Sequence, residues 1–387
     1  MSTNNIATLL FALALIVGAI FYLGSQSPAR PSNVSQTVTP PILTQATTAP
    51  AAQDEKAKSL LTSRAAKAKQ YPLAKEIVNP SGFINTPDGK PIAIQSLIGK
   101  KVILLDIWTY SCINCQRTFP YLKSWYDKYK DRGLEIIGLH APEFEFEKDY
   151  GNVLAAVKKF GITYPVVLDN DFATARGYGM RYWPEEYLID IDGFIVHKSV
   201  GEGGYEETEA KIVALLNERS KVLGENGTVS APASAADAGA ASRPESPETY
   251  FGSARNQYLA NGKQGVSGMQ RLSLPETFER NRLYLGGEWN IAGEFAENQN
   301  AGASIVFKYK AKEVYFVASA KREVRAKIWS DGVLVRNNKG EDVATDGSVF
   351  IKEDRLYKII KNQGLEEHTL KIEIESAELR AYTFTFG

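Results

Sequence analysis

The two cysteines of this 387-residue chain are separated by two residues, at Cys112 and Cys115, and directly follow an apolar run over residues 102–107. Two cysteines are too few for a structural disulfide framework, so the chemical role of this pair has to be explained. The run before it is β-branched and apolar on both faces, which predicts a buried strand of a parallel sheet. Aromatic and apolar residues recur at helical spacing over residues 116–130, which predicts a helix after the pair.

This strand, turn and helix give the two thiols different expected roles. Ser111 is the expected N-cap, and Cys112 would then lie near unsatisfied N–H groups and the positive end of the helix dipole. That placement favours the thiolate, so we predict that Cys112 is the nucleophile. Cys115 lies one turn further in and is predicted to resolve a mixed disulfide on Cys112. Inert core cysteines or half of a zinc site are the alternatives, but the chain has no second cysteine pair and only three histidines, so no metal is expected.

The sequence Trp-Thr-Tyr-Ser-Cys-Ile-Asn-Cys over residues 108–115, between a strand and a helix, resembles the active-site unit of the thioredoxin superfamily. The resemblance implies a buried acid at Asp106, six residues before Cys112. A carboxyl group in an apolar strand has its pKa raised by desolvation, so Asp106 is predicted to accept the proton that Cys115 loses. A strand-edge aspartate in water is the alternative.

The resemblance also implies where substrate binds. In thioredoxin-like proteins a cis proline faces the cysteine pair, and the backbone of the preceding residue pairs with substrate peptide. Pro184 and Trp183 match these positions, although an ordinary trans bond is an alternative from sequence alone. Trp108 and Tyr110, next to the cysteines, complete the predicted substrate-binding residues.

An extra α/β segment within residues 134–168, before Pro184, resembles the insertion of membrane-tethered, extracytoplasmic thioredoxins of the TlpA and ResA kind. A predicted hairpin over residues 81–90 fits the same class. One position departs from the pattern. Many of these relatives carry Glu three residues after the second cysteine, where this chain has Thr118, so acid chemistry would fall to Asp106 or to water.

The motifs at residues 108–117, 138–148 and 181–190 are similar to the thioredoxin part of DipZ-type proteins. The likeness covers residues 74–218 and continues more weakly to the C-terminus. It implies a thioredoxin-like α/β fold over residues 74–222, with a central mixed sheet and flanking helices. DipZ-type proteins also carry a CcdA-like electron-transferring membrane domain, for which the residues before this fold are too few. A separate CcdA-like membrane protein is therefore the expected electron donor.

The N-terminal region contains an uncharged apolar stretch over residues 6–23. As a helix it would span about 27 Å, close to the thickness of a bilayer core. It is a transmembrane anchor or a signal sequence, and the missing basic n-region favours an uncleaved anchor over residues 1–24. Residues 25–73 are predicted to be a flexible tether. Together with the resemblance, this predicts a single-pass protein of the cell membrane with its domains on the extracytoplasmic side.

The C-terminal part is expected to be an all-β sandwich over residues 247–387, after a linker over residues 223–246. Apolar and polar residues alternate at 305–310, 324–329, 370–375 and 382–386, with turns predicted at 330–332 and 362–364. The corresponding part of DipZ-type proteins resembles a jelly-roll carbohydrate-binding module. Trp289, Trp329 and Tyr315 could form a platform for cell-wall glycan, but aromatic residues in a sandwich more often pack in the core or fill the surface.

Two other features have simple expected explanations. Glu143, Glu145 and Glu147 alternate with phenylalanines and are predicted to form a solvated edge. His140, at the end of a predicted strand, is predicted to be a packed histidine rather than a functional one. Lys and Arg together equal Asp and Glu at 45 each, and no Gly-rich phosphate loop follows a strand, so neither nucleic acid nor a cofactor is expected.

The sequence thus predicts an extracytoplasmic thiol–disulfide oxidoreductase that reduces protein disulfides through its redox-active cysteine pair. A thiol peroxidase of the peroxiredoxin type is one alternative, because Thr109 stands three residues before Cys112. The peroxiredoxin pattern requires a proline where this chain has Leu105, which weakens that alternative. A cell-surface binding module with an attached redox domain is the other.

Overall fold

The computed structural model describes residue 62 and residues 64–230 and 244–387. These residues all belong to one compact unit. The predicted anchor, most of the predicted tether and the middle of the predicted linker lie outside the described residues. None of the described helices is long and apolar enough to cross a membrane.

An α/β domain carries the cysteine pair. Its strands are β1 (Gly82–Ile84), β2 (Val102–Trp108), β3 (Leu134–His140), β4 (Val166–Leu168), β5 (Glu185–Ile189) and β6 (Ile195–Val200). Its helices are α1 (Ile94–Leu97), α2 (Ile113–Tyr129), α3 (Tyr150–Phe160), α4 (Ala173–Tyr178) and α5 (Tyr205–Leu223). The sheet order is β1-β4-β3-β2-β5-β6, in which β2 is parallel to β3 and antiparallel to β5. This mixed sheet with helices on its faces confirms the predicted thioredoxin-like fold.

Strand β2 lies in the middle of this sheet, and all seven of its residues are buried. Successive side chains point to opposite faces. Leu104 and Trp108 pack in one apolar cluster with residues of α2 and α5, whereas Ile103 and Leu105 pack in a second cluster on the other face. Burial on both faces explains why the sequence before the cysteines is continuously apolar. Asp106 shares the face of Leu104, beneath α2.

The hairpin predicted over residues 81–90 is wrong. Strand β1 pairs antiparallel with β4, which is distant in sequence, and covers the edge of the sheet. The residues after it form a 3-10 turn at Pro87–Gly89, with Asp88 at a φ of 54°. The turn-forming sequence was recognised correctly, but the partner of the strand was not, because pairing with β4 is a long-range contact.

A β domain follows. Its strands are β7 (Thr249–Tyr250), β8 (Gly268–Leu272), β9 (Leu283–Ile291), β10 (Ala296–Asn298), β11 (Ala303–Ala320), β12 (Val324–Ser330), β13 (Val333–Leu334), β14 (Ser348–Ile351), β15 (Arg355–Ile374) and β16 (Leu379–Phe386). The main order is β13-β12-β15-β11-β16-β10-β9-β8, and β7 and β14 pair with β16 and β12. All named pairings are antiparallel, so the C-terminal part is β-rich, as predicted. One large apolar core includes Trp289, Phe316 and Phe384.

The turn predicted at residues 362–364 is also wrong, because these residues lie inside the long strand β15. Asn362 is buried, and its amide donates to the Tyr309 hydroxyl at 3.2 Å and to the Ala311 carbonyl at 3.1 Å. A register shift between β11 and β15 occurs here, between Ala311 and Glu313. The polar side chain therefore satisfies a bulge within the ladder and does not end the strand. The turn predicted at residues 330–332 does connect β12 to β13.

Candidate active site

Helix α2 begins directly after Cys112, which is its N-cap. The Cys112 sulfur accepts a hydrogen bond from the backbone N–H of Cys115, with an N-to-S distance of 3.2 Å. The expectation that Ser111 caps the helix is therefore wrong by one residue. Cys112 is partly exposed and Cys115 is fully buried, and both are free thiols. A sulfur that caps a helix accepts a stronger hydrogen bond when it is ionised, which suits an attacking thiolate.

Ser111 is unavailable as a cap because it binds Glu147. The Oε1 atom of Glu147 accepts from the Ser111 hydroxyl at 2.7 Å and from its N–H at 3.1 Å. The Oε2 atom accepts from the N–H groups of Glu143 at 2.6 Å and Phe144 at 3.0 Å. Burial raises the pKa of Glu147 to about 6, while hydrogen bonds from Thr109, Ser111 and Phe144 oppose that rise. This carboxylate ties the cysteine loop to the segment after β3.

The prediction of a solvated acidic edge therefore fails at two of its three positions. Glu147 is fully buried, and Glu143 accepts from the Arg255 guanidinium and the Tyr250 hydroxyl, both at 2.7 Å. Both partners belong to the β domain. Glu145 alone is well exposed, with 73% of its side-chain surface accessible. Alternation of Phe and Glu indicated a solvated edge, whereas the segment leads into a 3-10 turn, Glu145–Lys148, and contacts the β domain through Glu143.

The bond between Trp183 and Pro184 is cis, as the resemblance implied. The carbonyl oxygen of Trp183 lies 3.7 Å from the Cys112 sulfur. The Trp183 indole donates to the Ala141 carbonyl at 2.9 Å, which fixes the side chain against the end of β3. The structure thus brings Trp183 and Pro184 next to the nucleophile position, although the two are 71 residues or more from it in sequence.

Trp108 and Tyr110 do not lie on a substrate-accessible surface. Trp108 is fully buried, and its ring makes edge-to-face contacts with Phe119 and His140. Tyr110 is 4% exposed, and its hydroxyl donates to the backbone carbonyl of Asp354 in the β domain at 3.0 Å. The prediction that these two residues bind substrate is not supported, because the β domain covers one and the α/β core encloses the other.

His140 is a packed residue, as predicted. It is fully buried, stacks on Tyr110 and has its Nε2 atom 3.4 Å from the Thr109 hydroxyl. Burial lowers its pKa to about 3, so the imidazole is neutral at physiological pH. It supports the wall behind the cysteine loop.

Asp106 is 1% exposed, so the alternative of an aspartate in water is excluded. Neither of its carboxyl oxygens has a hydrogen-bond partner among the described residues. Burial and the nearby charge of Glu186 raise the pKa of Asp106 well above its ordinary value. Burial and the adjacent Cys112 sulfur likewise raise the pKa of the Cys115 thiol, on which Asp106 also acts. Proton release from Cys115 therefore needs a base in this pocket.

Glu186 was not identified from the sequence as a site residue. It is 4% exposed, faces Asp106 across the β2–β5 ladder, and burial raises its pKa to about 7. Thr118, where relatives carry Glu, donates from its hydroxyl to the Asn114 carbonyl at 3.0 Å. A second carboxyl group near Cys115 thus comes from β5 and not from α2. The available signal was a glutamate next to the apolar residues Tyr187, Leu188 and Ile189.

A cavity of about 520 Å³ opens onto Cys112 between the two domains. Its lining residues include Cys112, Asn114, Arg181, Trp183, Arg255 and Thr383. We call it the interdomain cleft. The sulfur of Cys112 therefore faces a confined space, of which one wall belongs to the α/β domain and the other to the β domain.

An apolar cluster fixes the two domains beside this cleft. It consists of Ile113, Phe144, Tyr315, Val317, Leu356 and Tyr382, which we call the interdomain cluster. Ile113 directly follows the nucleophile position and is only 5% exposed. Arg117, one turn further along α2, donates to the Tyr315 hydroxyl at 3.0 Å and pairs with Glu313 at 3.3 Å. The β domain thus packs on the face of α2 next to the cysteines.

Fold and site together define the class. A half-exposed cysteine caps a helix, a buried cysteine follows within the same turn, and a cis proline and a buried acid flank the pair, all on a thioredoxin-like sheet. This is the arrangement of a thiol–disulfide oxidoreductase.

Comparison with known proteins places the chain within that class. Residues 74–198 match the AhpC/TSA family, and residues 246–387 match a family described as a thioredoxin-like C-terminal domain. Thiol–disulfide oxidoreductase ResA of Bacillus anthracis is 34% identical over 130 residues, which are 34% of this chain and 72% of ResA. The chain belongs to the thioredoxin-like thiol–disulfide oxidoreductases.

A longer match extends across both domains. Protein DipZ of Mycobacterium tuberculosis is 35% identical over 315 residues, which cover 81% of this chain but only 43% of DipZ. Among solved structures, the thiol:disulfide interchange protein DsbE of Chlorobium tepidum is similar, with 24% identity and a TM-score of 0.33 over 38% of this chain and 96% of that one.

Proposed function

We propose that the Cys112–Cys115 pair reduces disulfides of extracytoplasmic proteins. One observation supports this most directly. The Cys112 sulfur sits at the helix start, 3.7 Å from the Trp183 carbonyl, at the open side of the interdomain cleft, with the buried Cys115 in the turn behind it. A substrate disulfide in the cleft can reach only the first of the two sulfurs.

The reaction proceeds in two exchanges. The Cys112 thiolate attacks one sulfur of the substrate disulfide, forms a mixed disulfide and releases one substrate thiolate, which takes up a proton. Cys115 then loses its proton, attacks the Cys112 sulfur and releases the second substrate thiolate. The protein ends with a disulfide between Cys112 and Cys115 and the substrate with two thiols. Two electrons have moved to the substrate.

The β domain restricts how a substrate protein approaches. Ile113, beside the nucleophile, is covered by Tyr315 and Tyr382 and offers no flat docking surface. The approach that remains leads through the interdomain cleft along Trp183. A disulfide on an extended or unfolded segment suits this space better than one on the surface of a compact domain.

Location and electron supply are further parts of the proposal. The apolar residues 6–23 would anchor the chain, and the tether would place both domains on the extracytoplasmic side. A reductase there must be reduced again after each turnover. We assign that step to a CcdA-like membrane electron donor, on the basis of the resemblance to DipZ-type proteins.

The geometry around Thr109 does not favour the peroxidase alternative. The hydroxyl of Thr109, the residue that suggested it, contacts Glu147 and lies 3.4 Å from His140. This hydroxyl therefore belongs to the buried residues that pack behind the cysteine loop. Oxidation of Cys112 by peroxide at the rate of an ordinary free thiol is the expected result.

A jelly-roll class is the finer proposal for the β domain, and binding to cell-wall glycan is the alternative to be tested. Trp289 and Tyr315 form no exposed platform, because Trp289 is fully buried and Tyr315 is 4% exposed in the interdomain cluster. Of the three, Trp329 alone is partly exposed. We therefore expect no retention of the protein on cell-wall material, and retention would support the binding-module alternative.

The decisive experiment compares two serine variants of the full chain in an insulin-reduction assay. Cys112→Ser should abolish activity, because no sulfur remains in the cleft. Cys115→Ser should accumulate a covalent mixed disulfide with substrate, since the first exchange still occurs. Activity retained by Cys112→Ser would contradict the proposal. A reduction potential near −270 mV is expected for a reductase, and one near −120 mV would indicate an oxidant.

A further inference from the structure

Asp106 and Glu186 form a pair of buried acids. They are directly opposite each other in the antiparallel ladder of β2 and β5, so their side chains leave the same face of the sheet. They are 1% and 4% exposed. Side chains opposite each other in such a ladder have Cβ atoms about 5 Å apart, which is within reach of a shared proton directly or through one water molecule.

This face of the sheet lies beneath α2 and α5. Asp106 acts electrostatically on the Cys115 thiol, and both acids act on the Tyr164 hydroxyl, which has no partner among the described residues. Glu186 also acts on Tyr205 at the start of α5. These two tyrosines and the thiol are the titratable groups that face the pair from the helices and from the segment before β4.

The remaining side is formed by β6. Ser199 lies opposite Glu186 in the β5–β6 ladder, and His197 lies two residues further along β6, on the same face. The His197 ring contacts the Lys211 ammonium at 2.9 Å and is not an ion-pair partner of Glu186. No cation among the described residues neutralises either acid of the pair by a salt bridge.

We propose that Asp106 and Glu186 act as one proton-sharing pair, through which the Cys115 proton leaves when the mixed disulfide is resolved. The proposal rests on the function proposed above. Asp106 transfers the proton and Glu186 is a positioning residue that acts through it, because Asp106 lies on the strand that leads into the cysteine loop.

The geometry gives the pair a property that neither acid has alone. Two carboxylates at this separation in a sealed site do not both ionise, so the pair holds one proton and one negative charge at neutral pH. Asp106 by itself would remain protonated and could accept nothing. With the charge on Glu186, Asp106 takes the proton from Cys115 while passing its own to Glu186. The pair then releases one proton to solvent, and the Cys115 sulfur forms its bond to Cys112.

The second exchange can be measured separately with the aromatic disulfide dithiobis(nitrobenzoate) and the reduced full-length protein in excess. A first release of coloured thiolate reports attack by Cys112, and a second reports resolution by Cys115. Glu186→Gln should leave the first release unchanged. It should slow the second by about 100-fold at pH 7, the scale of a lost general base, and the two rates should converge at high pH.

Four further variants test the assignment. Glu185→Gln, the same change one residue away and on the opposite face of β5, should leave the pH profile of the second release unchanged. Glu186→Asp should restore part of the rate. Asp106→Asn combined with Glu186→Gln should be no slower than Asp106→Asn alone, because the two groups act in series.

The outcomes separate the two proposals. No first release from the unaltered protein would contradict the proposed function. A normal first release, together with a Glu186→Gln pH profile that coincides with that of the unaltered protein, would overturn the pair alone. If Glu186→Gln does not fold, infrared spectra of the unaltered protein should still show a carboxyl C=O band that titrates near neutral pH, and its absence would overturn the pair as well.

Discussion

Two buried acidic sites lie on either side of the cysteine loop, and their surroundings differ. Glu147 accepts hydrogen bonds from three backbone N–H groups and the Ser111 hydroxyl. Asp106 accepts none from the described residues. Burial raises the pKa of Glu147 only to about 6, because donors oppose it, whereas the pKa of Asp106 rises well above its ordinary value. A buried carboxylate with donors stabilises a loop, and one without them is suited to exchange protons.

The largest expected effect comes from removing Glu147, the buried acid that accepts the hydrogen bonds. Glu147→Ala leaves the buried N–H groups of Ser111, Glu143 and Phe144 without their acceptor, which should lower the free energy of unfolding by about 4 kcal/mol. Urea denaturation at pH 7.5 measures it. Glu145→Ala, in the same turn but exposed, is the matched control and should change stability by less than about 0.5 kcal/mol. Equal effects of the two variants would show that Glu147 anchors nothing.

The second effect is that of Glu186→Gln, which should raise the free energy of unfolding by an amount that depends on pH. Burial raises the pKa of Glu186 to about 7 in the folded protein, from the 4.5 of an exposed glutamate. The folded state therefore holds more protons than the unfolded chain between these values, and the free energy of unfolding falls as pH rises through them, by about 3 kcal/mol at full ionisation. In the Glu186→Gln variant the free energy of unfolding should not fall in this way as pH rises. Denaturation of both proteins at pH 4.5 and pH 8 should show a difference that grows toward pH 8 in favour of the variant, and a constant difference would contradict the burial of an unpaired acid.

The smallest effect comes from removing one hydrogen bond to Glu147, which makes its surroundings more like those of Asp106. Ser111→Ala removes the 2.7 Å hydrogen bond to Glu147 but keeps the backbone one. The loss should be about 1.5 kcal/mol at pH 8, where Glu147 is ionised, and smaller at pH 5, where it is protonated. Ser253→Ala, which removes an exposed hydroxyl contact in the β domain, is the control. A loss independent of pH would mean that the hydroxyl does not serve the ionised carboxylate.

Much of the α/β domain could be predicted from local patterns. The buried strand, the cysteine turn and α2 occur in the predicted order, and β3 begins at residue 134, where the predicted α/β segment begins. These succeed because periodicity and continuous apolar runs are local consequences of burial. The hairpin at residues 81–90 and the turn at residues 362–364 failed because each depends on a partner strand far away in sequence.

The site residues also divide into those predicted from local sequence and those that depend on distant parts of the chain. The cysteine spacing determined the reaction chemistry, and the position of Pro184 could be transferred by resemblance. Glu147 and Glu143 were misread because the sequence does not show that a second domain encloses their turn. Glu186 was missed because only the register of β5 against β2 places it opposite Asp106.

The sequence by itself therefore determined the two thiols, the helix that holds them and the buried strand before them, since these depend on neighbours within a few residues. Only the tertiary structure decided which acid is hydrogen-bonded and which is left without donors, and that the β domain forms one wall of the space over Cys112. Solvation and hydrogen bonding at a buried group depend on every element packed around it, and those elements come from distant parts of the chain.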